Sequence, residues 1–248
     1  MIGIADLHSH ILPGIDDGSR SLEESLVMLS MEADQGVGVV AATPHFDPRR
    51  DSPEAFLDRR NAAAQALTRA MGEDPRLPLI LLGAEVRYCP GISQWDALPQ
   101  LTLEGGKALL LEMPGGPWNE ELCQELSRIA SERGITPVIA HVERCLRPSG
   151  NESIFRALEE LPVLAQANSS FFCSIFTARR AMGMLRAGWI HLLGSDCHSS
   201  SRRKPDLIRA VNRIGRREQS ALEAIWKHQK HILPHWTENA LGETEIRV

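Results

Sequence analysis

Hydrophobic residues gather in short runs along this chain, and most runs end on a histidine or a carboxylate. Residues 2–7 lead into His8-Ser9-His10, 37–44 into His45, and 79–84 into Glu85. Residues 108–111 lead into Glu112, 135–140 into His141, and 190–194 through Ser195 into Asp196-Cys197-His198. A further run covers 163–167. Short apolar runs of this kind read as buried strands of a parallel sheet. The stretches between them carry helix signals. Ser21-Leu22-Glu23-Glu24 matches a capping box. Leu22, Leu26, Leu29 and Ala33 then make an apolar stripe at helical spacing, and Gly36 closes the helix. Ser52-Pro53-Glu54 starts a second helix, with proline at its first position, running to about Met71. Further helices are predicted at about 119–133, 151–161, 174–187, 205–216 and 218–229. The segment between strands three and four, with Pro90, Gly91 and Pro99, reads as loop. Seven strands with intervening helices make an α/β domain and favour a barrel. An open doubly wound sheet has the same periodicity and stays open as an alternative.

Ligand-type residues at the C-terminal ends of strands mark the functional rim of a barrel. Strand alternation puts His8 and His10 on one side. Asp196-x-His198 repeats that spacing on the last strand, which neighbours the first in a closed barrel, so the two pairs would meet. Taken singly, His45 is a turn histidine, Glu85 and Glu112 are surface acids, and His141 is a satisfied buried imidazole. Their shared position favours a common purpose. Burying several carboxylates without a cation is very costly, and a multinuclear metal site removes that cost. Nitrogen and oxygen donors without thiolate suit Mn, Fe or Zn in a catalytic role. Such ions activate water and clamp phosphate oxygens, so metal-assisted phosphoester hydrolysis is the first candidate. His191 falls early in strand seven, at the opposite end of the barrel, and reads as structural. His228, His231 and His235 lie on the last helix or its exit and read as packing or surface residues.

The 248 residues fit one such domain, residues 1–248, and the formal charge of -5 does not favour nucleic acid. Arg202-Arg203-Lys204 is a basic cluster close behind the last rim motif. No apolar run is long enough to cross a bilayer, and the first strand leaves no room for a cleaved leader. A cytoplasmic protein without membrane insertion is expected. Five scattered cysteines without a C-x-x-C pair read as free thiols. Cysteine-dependent phosphatase chemistry would need a C-x5-R loop. Cys173 to Arg179 and Cys197 to Arg203 have that spacing but lack the glycine that lets a backbone wrap phosphate.

The segment from Asp6 to Gly18, DLHSHILPGIDDG, resembles the opening motif of the polymerase and histidinol phosphatase (PHP) superfamily. It is nearest to the bacterial protein-tyrosine phosphatases of capsule and exopolysaccharide systems. Ala42-Thr43-Pro44-His45, Gly83-Ala84-Glu85, Leu111-Glu112, His141-Val142-Glu143-Arg144, Gln166-Ala167-Asn168 and Gly194 to His198 continue the likeness in order. The resemblance implies a distorted (β/α)7 TIM-like barrel holding three divalent metal ions, Mn first, with Fe or Zn as alternatives. It implies that His8, His10, Glu85 and Asp196 hold one ion, and that Glu85 bridges to a second with Glu112 and His141. Asp17, His45 and His198 would hold the third. Acids at Asp17 and Glu112 favour phosphotyrosine over histidinol phosphate, the runner-up substrate. Arg144 and Arg203 match arginines placed near the substrate phosphate, although the adjacent Arg202 leaves the register of the second one open. Cys145 stands where an aromatic residue commonly follows the arginine. The implied partner is a phosphotyrosyl protein, an autophosphorylated bacterial tyrosine kinase of polysaccharide export.

Overall fold

The structure, a computed structural model, describes residues 4–104, 107–146 and 150–233. Nine strand segments follow in chain order: β1 (Ile4–Ser9), β2 (Val37–Ala42), β3 (His45–Phe46), β4 (Leu79–Leu82), β5 (Glu85–Arg87), β6 (Ala108–Glu112), β7 (Thr136–Ile139), β8 (Leu164–Asn168) and β9 (Leu192–Gly194). The helices are α1 (Leu22–Asp34), α2 (Pro53–Met71), α3 (Leu98–Leu101), α4 (Glu120–Arg133), α5 (Val142–Cys145), α6 (Glu152–Glu160), α7 (Ser169–Cys173), α8 (Ala178–Arg186), α9 (Leu207–Gly215) and α10 (Gln219–Ile232). All strand pairs are parallel. They run β1-β2-β4 in one ladder and β3-β5-β6-β7-β8-β9 in another, and Cys197 bridges back to Ser9 of β1. The result is a curled parallel sheet with helices packed outside it.

Helix starts follow the local chemistry. Ser21 caps α1 by accepting from the Glu24 amide at 3.2 Å, and Glu24 reaches back to the Arg20 amide at 3.1 Å. Ser52 caps α2 and Asn119 caps α4 in the same way. Gly134 ends α4 in the left-handed region at φ 61°.

Two features depart from regular strands, and both bear on the rim. The run expected as 37–44 stops at Ala42, because Pro44 has no amide to give a ladder. Pairing resumes with His45 beside Glu85 after the parallel break at Gly83. A side chain at Gly83 would meet Leu103 at 2.7 Å, and the Gly83 carbonyl accepts from the buried Arg60 at 3.1 Å. The second feature is a bulge in β1. Asp6 pairs with Val40 and Ser9 with Ala42, so Leu7 and His8 together face the single residue Ala41. Asp6 therefore packs outward beneath α1, near Glu32. His8 turns inward two residues later, which simple alternation from Asp6 would not allow.

The core has two layers. Ala5, Leu7, Val39, Ala41, Leu110, Val138 and Leu192 fill the inside of the curl, closed below by Ile232 and Leu233 at the end of α10. Met28, Leu29, Val40, Leu67, Leu111, Leu126 and Ile139 bury the outer face beneath the helices.

The segment read as loop holds β5, a 3-10 turn at Ile92–Gln94 and α3. Buried Glu125 organises it by accepting from the amides of Gly91 and Ser93 and the hydroxyls of Ser93 and Tyr88, all within 3.2 Å. The helix expected over 174–187 is α8 alone, which starts only at Ala178, and the separate short α7 precedes it at 169–173. Ser174 Oγ accepts the Phe176 amide, and the Thr177 hydroxyl donates to the Phe171 carbonyl, so side chains compete with helix bonds there.

Candidate metal centre

The candidate ligands lie at C-terminal strand ends or in the loops that follow, except His45 and Glu85, which open the short segments β3 and β5. The bulge and the chain reversal after it bring His8 and His10 to face each other, with their Nε2 atoms 3.2 Å apart. Glu85 Oε2 lies 3.3 Å from His8 Nε2, 3.4 Å from His10 Nε2 and 2.8 Å from His45 Nδ1. Its other oxygen is 2.7 Å from His141 Nε2. Asp196 Oδ1 lies 3.6 Å from His8 Nε2 and 3.5 Å from His10 Nε2. Asp17 is 69% exposed and sits 3.3 Å from His45 Nε2 and 3.5 Å from His198 Nε2. Three of the four ligand-type groups among the described residues lie here: His8, His10 and Glu85; Glu85, Glu112 and His141; and His10, Asp17, His45 and His198. Glu112 is half-buried, with its carboxylate 3.9 Å from Arg87.

Outer partners fix which ring nitrogen faces the centre. His8 Nδ1 donates to Gln166 Oε1 at 3.1 Å, an oxygen that also accepts the His141 amide. His10 Nδ1 donates to Asp16 Oδ2 at 2.8 Å. His198 Nδ1 donates to the Asp196 carbonyl at 3.0 Å. In the neutral ring each such bond would hold the proton on Nδ1 and leave the Nε2 lone pair pointing inward, as for metal-bound imidazoles. Asp16, Gln166 and Asn168, which bonds Asp196 Oδ2 at 2.8 Å, were not among the expected site residues. The Asp16-Asp17 doublet signals an acid there, but spacing alone does not say which one faces His10.

The electrostatics are those of anions held in place by imidazoles. Burial opposes ionisation of Glu85, yet the charge of His8 and contacts from His10, His141 and His45 hold its carboxyl well below the usual range. Burial likewise opposes Asp16, but His10 and two backbone amides keep it at about 2. Burial, together with the charges of His10 and Arg203, lowers His198 to about 4. Among the described residues, Asp196 Oδ1, His141 Nδ1 and His198 Nε2 are buried without a hydrogen-bond partner. Inward lone pairs, facing imidazoles and orphaned carboxylate oxygens fit divalent cations with nitrogen and oxygen ligands.

His141 at φ 31° and Asp196 at φ 54° are the two non-glycine residues in the left-handed region among those described. Sheet geometry ends at both. Two glycines leave room for imidazoles. A side chain at Gly194 would meet His8 Cβ at 2.6 Å, and one at Gly18 would meet His10 Cβ at 2.5 Å.

Arg144 and Arg203 both reach Asp196 Oδ2, the latter at 2.6 Å, and are about half exposed. Arg202 lines a cavity together with both of them. The thiols have no part in this arrangement. Burial pushes Cys197 well above its ordinary range, its sulfur faces Glu32 at 3.9 Å, and Cys173 is raised as well. A protonated thiol is a poor nucleophile. His191 Nδ1 accepts the Ala165 amide and its ring meets His228, away from the centre. His231 lies on α10, and His235 lies outside the described residues.

Fold and site together define an α/β protein built on a curled parallel sheet, with a candidate multinuclear metal centre. The chain belongs to the CpsB/CapC family of capsular polysaccharide synthesis, whose pattern matches residues 4–233. It is 32% identical over 204 residues to the tyrosine-protein phosphatase YwqE of Bacillus subtilis strain 168, covering 78% of this chain and 77% of that one. It is 30% identical over 230 residues to the tyrosine-protein phosphatase CpsB of Streptococcus pneumoniae, covering 86% and 90%. A crystal structure from the work on those two proteins, described as metal-dependent tyrosine phosphatases, superposes with a TM-score of 0.82 at 25% identity, covering 93% of this chain and 94% of that one. Among the described residues no helix is long and apolar enough to cross a membrane.

Proposed function

We propose that this chain is a metal-dependent protein-tyrosine phosphatase acting in a capsule or exopolysaccharide system. One observation carries the reading: buried imidazoles and carboxylates with inward, donor-less atoms converge beside two arginines that share one anionic oxygen. The names of its relatives support phosphotyrosine as the substrate group. In this reading His8, His10, Glu85 and Asp196 hold one divalent ion, Glu85, Glu112 and His141 a second, and Asp17, His45 and His198 a third. Manganese is the first candidate, ahead of iron or zinc. Such ions lower the pKa of water and neutralise phosphoryl charge when bound.

The chain's own residues bind and orient. Gln166 and Asp16 fix the rings of His8 and His10, and Asn168 steadies Asp196. Arg144 and Arg203 converge on an oxygen position of the kind a phosphoryl group offers, where guanidinium forks stabilise developing charge. A tyrosyl leaving group, with a phenol pKa near 10, needs only modest protonation help. The same reading takes the breaks at Pro44 and Gly83 as interruptions within single staves, so that nine segments make the seven staves of a distorted (β/α)7 barrel. It takes the chain as one domain in the cytoplasm, acting on an autophosphorylated tyrosine kinase.

The test is phosphate release from a phosphotyrosyl peptide and from histidinol phosphate, before and after chelation and with Mn restored. Chelator-sensitive, Mn-restored turnover of the peptide is expected. Preference for histidinol phosphate would change the substrate but keep the site. Peptide turnover that survives complete metal removal would overturn the metal mechanism.

A further inference from the structure

We infer that a cavity beside the two phosphate-facing arginines is a subsite for an acidic side chain flanking the phosphotyrosine, an inference that rests on the tyrosine-phosphatase reading. The cavity, about 230 Å³, opens between the loops that follow β7, β8 and β9. That volume suits one amino-acid side chain rather than a small-molecule ligand, whose pockets run to roughly 300 Å³ and more.

Five cationic side chains line it: Arg144, Arg202, Arg203, Lys204 and Arg209. Two carboxylates oppose them, and both are engaged. Asp196 is held by Arg144 and Arg203, and Asp206 accepts from the Ser169 hydroxyl. Arg202, Lys204 and Arg209 are exposed, and among the described residues none has a carboxylate within ion-pairing distance. The whole chain carries -5, so this local excess of positive charge runs against the bulk composition. Asn168 and Ser170 add neutral polar groups to the wall.

Position gives the cavity its role. Asp196 Oδ1 faces His8 and His10, while its Oδ2 meets the arginines. The cavity thus lies across one carboxylate from the candidate metal ligands. An extended peptide advances about 3.3 Å per residue. With phosphotyrosine at the centre, the side chain one or two residues away reaches the cavity. A Glu or Asp carboxylate there meets the three unpaired cations, and a Lys meets repulsion.

The test uses the full chain loaded with Mn and three phosphotyrosyl peptides that differ only in having Glu, Gln or Lys at the positions flanking the phosphotyrosine. At low salt the Glu peptide is expected to show kcat/KM about fivefold above the Gln peptide, mostly through KM, with the Lys peptide lowest. The ratio should shrink as salt is raised. In the triple variant Arg202→Gln/Lys204→Gln/Arg209→Gln the Glu-to-Gln ratio should fall to about one. Arg209→Glu is a second, single change that should lower the same ratio. Equal kcat/KM for the three peptides, or a ratio unchanged in the triple variant, would overturn the inference. Absence of turnover with all three would instead sink the tyrosine-phosphatase reading, and the inference with it.

Discussion

Replacing Glu32 with Gln is expected to stabilise the protein at neutral pH. Glu32 lies on α1, buried against Asp6 of β1 and the thiol of Cys197. Asp6 Oδ1 already accepts the amides of His8 at 3.1 Å and Ser195 at 2.8 Å, so Asp6 is suited to carry the charge. Asp6 Oδ2 and Glu32 Oε2 have no other donor among the described residues, and a single proton shared by the two carboxyls supplies one. Burial and the charge of Asp6 push Glu32 up to about 10. An unfolded Glu titrates near 4.3. Between these values the folded state holds a proton that the unfolded state releases, so stability falls as pH rises. The slope is about 1.4 kcal/mol per pH unit, which sets a ceiling of about 4 kcal/mol lost by pH 7. Relaxation of the site lowers that ceiling, and a gain of about 1–2 kcal/mol is expected for Glu32→Gln at pH 7. Gln keeps the shape, donates to Asp6 and has nothing to titrate. Urea unfolding of parent and variant, in the same metal-loaded state, would be followed from pH 4.5 to 8. The advantage of the variant should be near zero at the acid end and grow with pH. A difference independent of pH, or a variant less stable throughout, would refute the shared-proton account.

Other outcomes follow from the centre itself. Asp16→Ala frees the His10 ring and is expected to weaken metal affinity about 10- to 100-fold while the chain stays folded, measured by metal titration beside circular dichroism. Arg144→Ala and Arg203→Ala should each lower kcat/KM on a phosphotyrosyl peptide by about 10²–10³, and lysine at either position should recover little of the loss. Chelation should lower Tm, because ions bound by the folded chain and not by the unfolded one stabilise it; an unchanged Tm would contradict the assignment of buried ligands.

Much of the layout was legible because strand ends carry their chemistry in order. Each of the seven expected runs contains strand, and the start signals at Ser21 and Ser52 place two helices within a residue or two. The candidate ligands come together because parallel register sets neighbouring strand ends at matching heights, as His45 beside Glu85 shows. What stayed hidden depends on contacts distant in sequence. The β1 bulge needs the partner strand to be visible, since alternation alone keeps Asp6 and His8 on one face. Asp16 and Gln166 act through rings that the chain pattern does not orient. The order in the Tyr88–Trp95 segment comes from Glu125, which lies more than thirty residues away. The Arg202-Arg203 doublet hides a difference that contacts reveal: Arg203 pairs with Asp196, and Arg202 lines the adjoining cavity without such a pair.

The left-handed backbone at His141 and Asp196 has a consequence for how such a chain changes over time. His and Asp are among the side chains best tolerated there, yet glycine would sit more comfortably by roughly 1 kcal/mol at each position. Folding alone therefore rewards loss of both residues, and a lineage released from its chemistry would drift toward a sturdier, inert barrel. A library screened only for heat resistance would move the same way, enriching chains whose centre has gone. Any stabilising programme for this scaffold needs turnover as a parallel criterion from its first round.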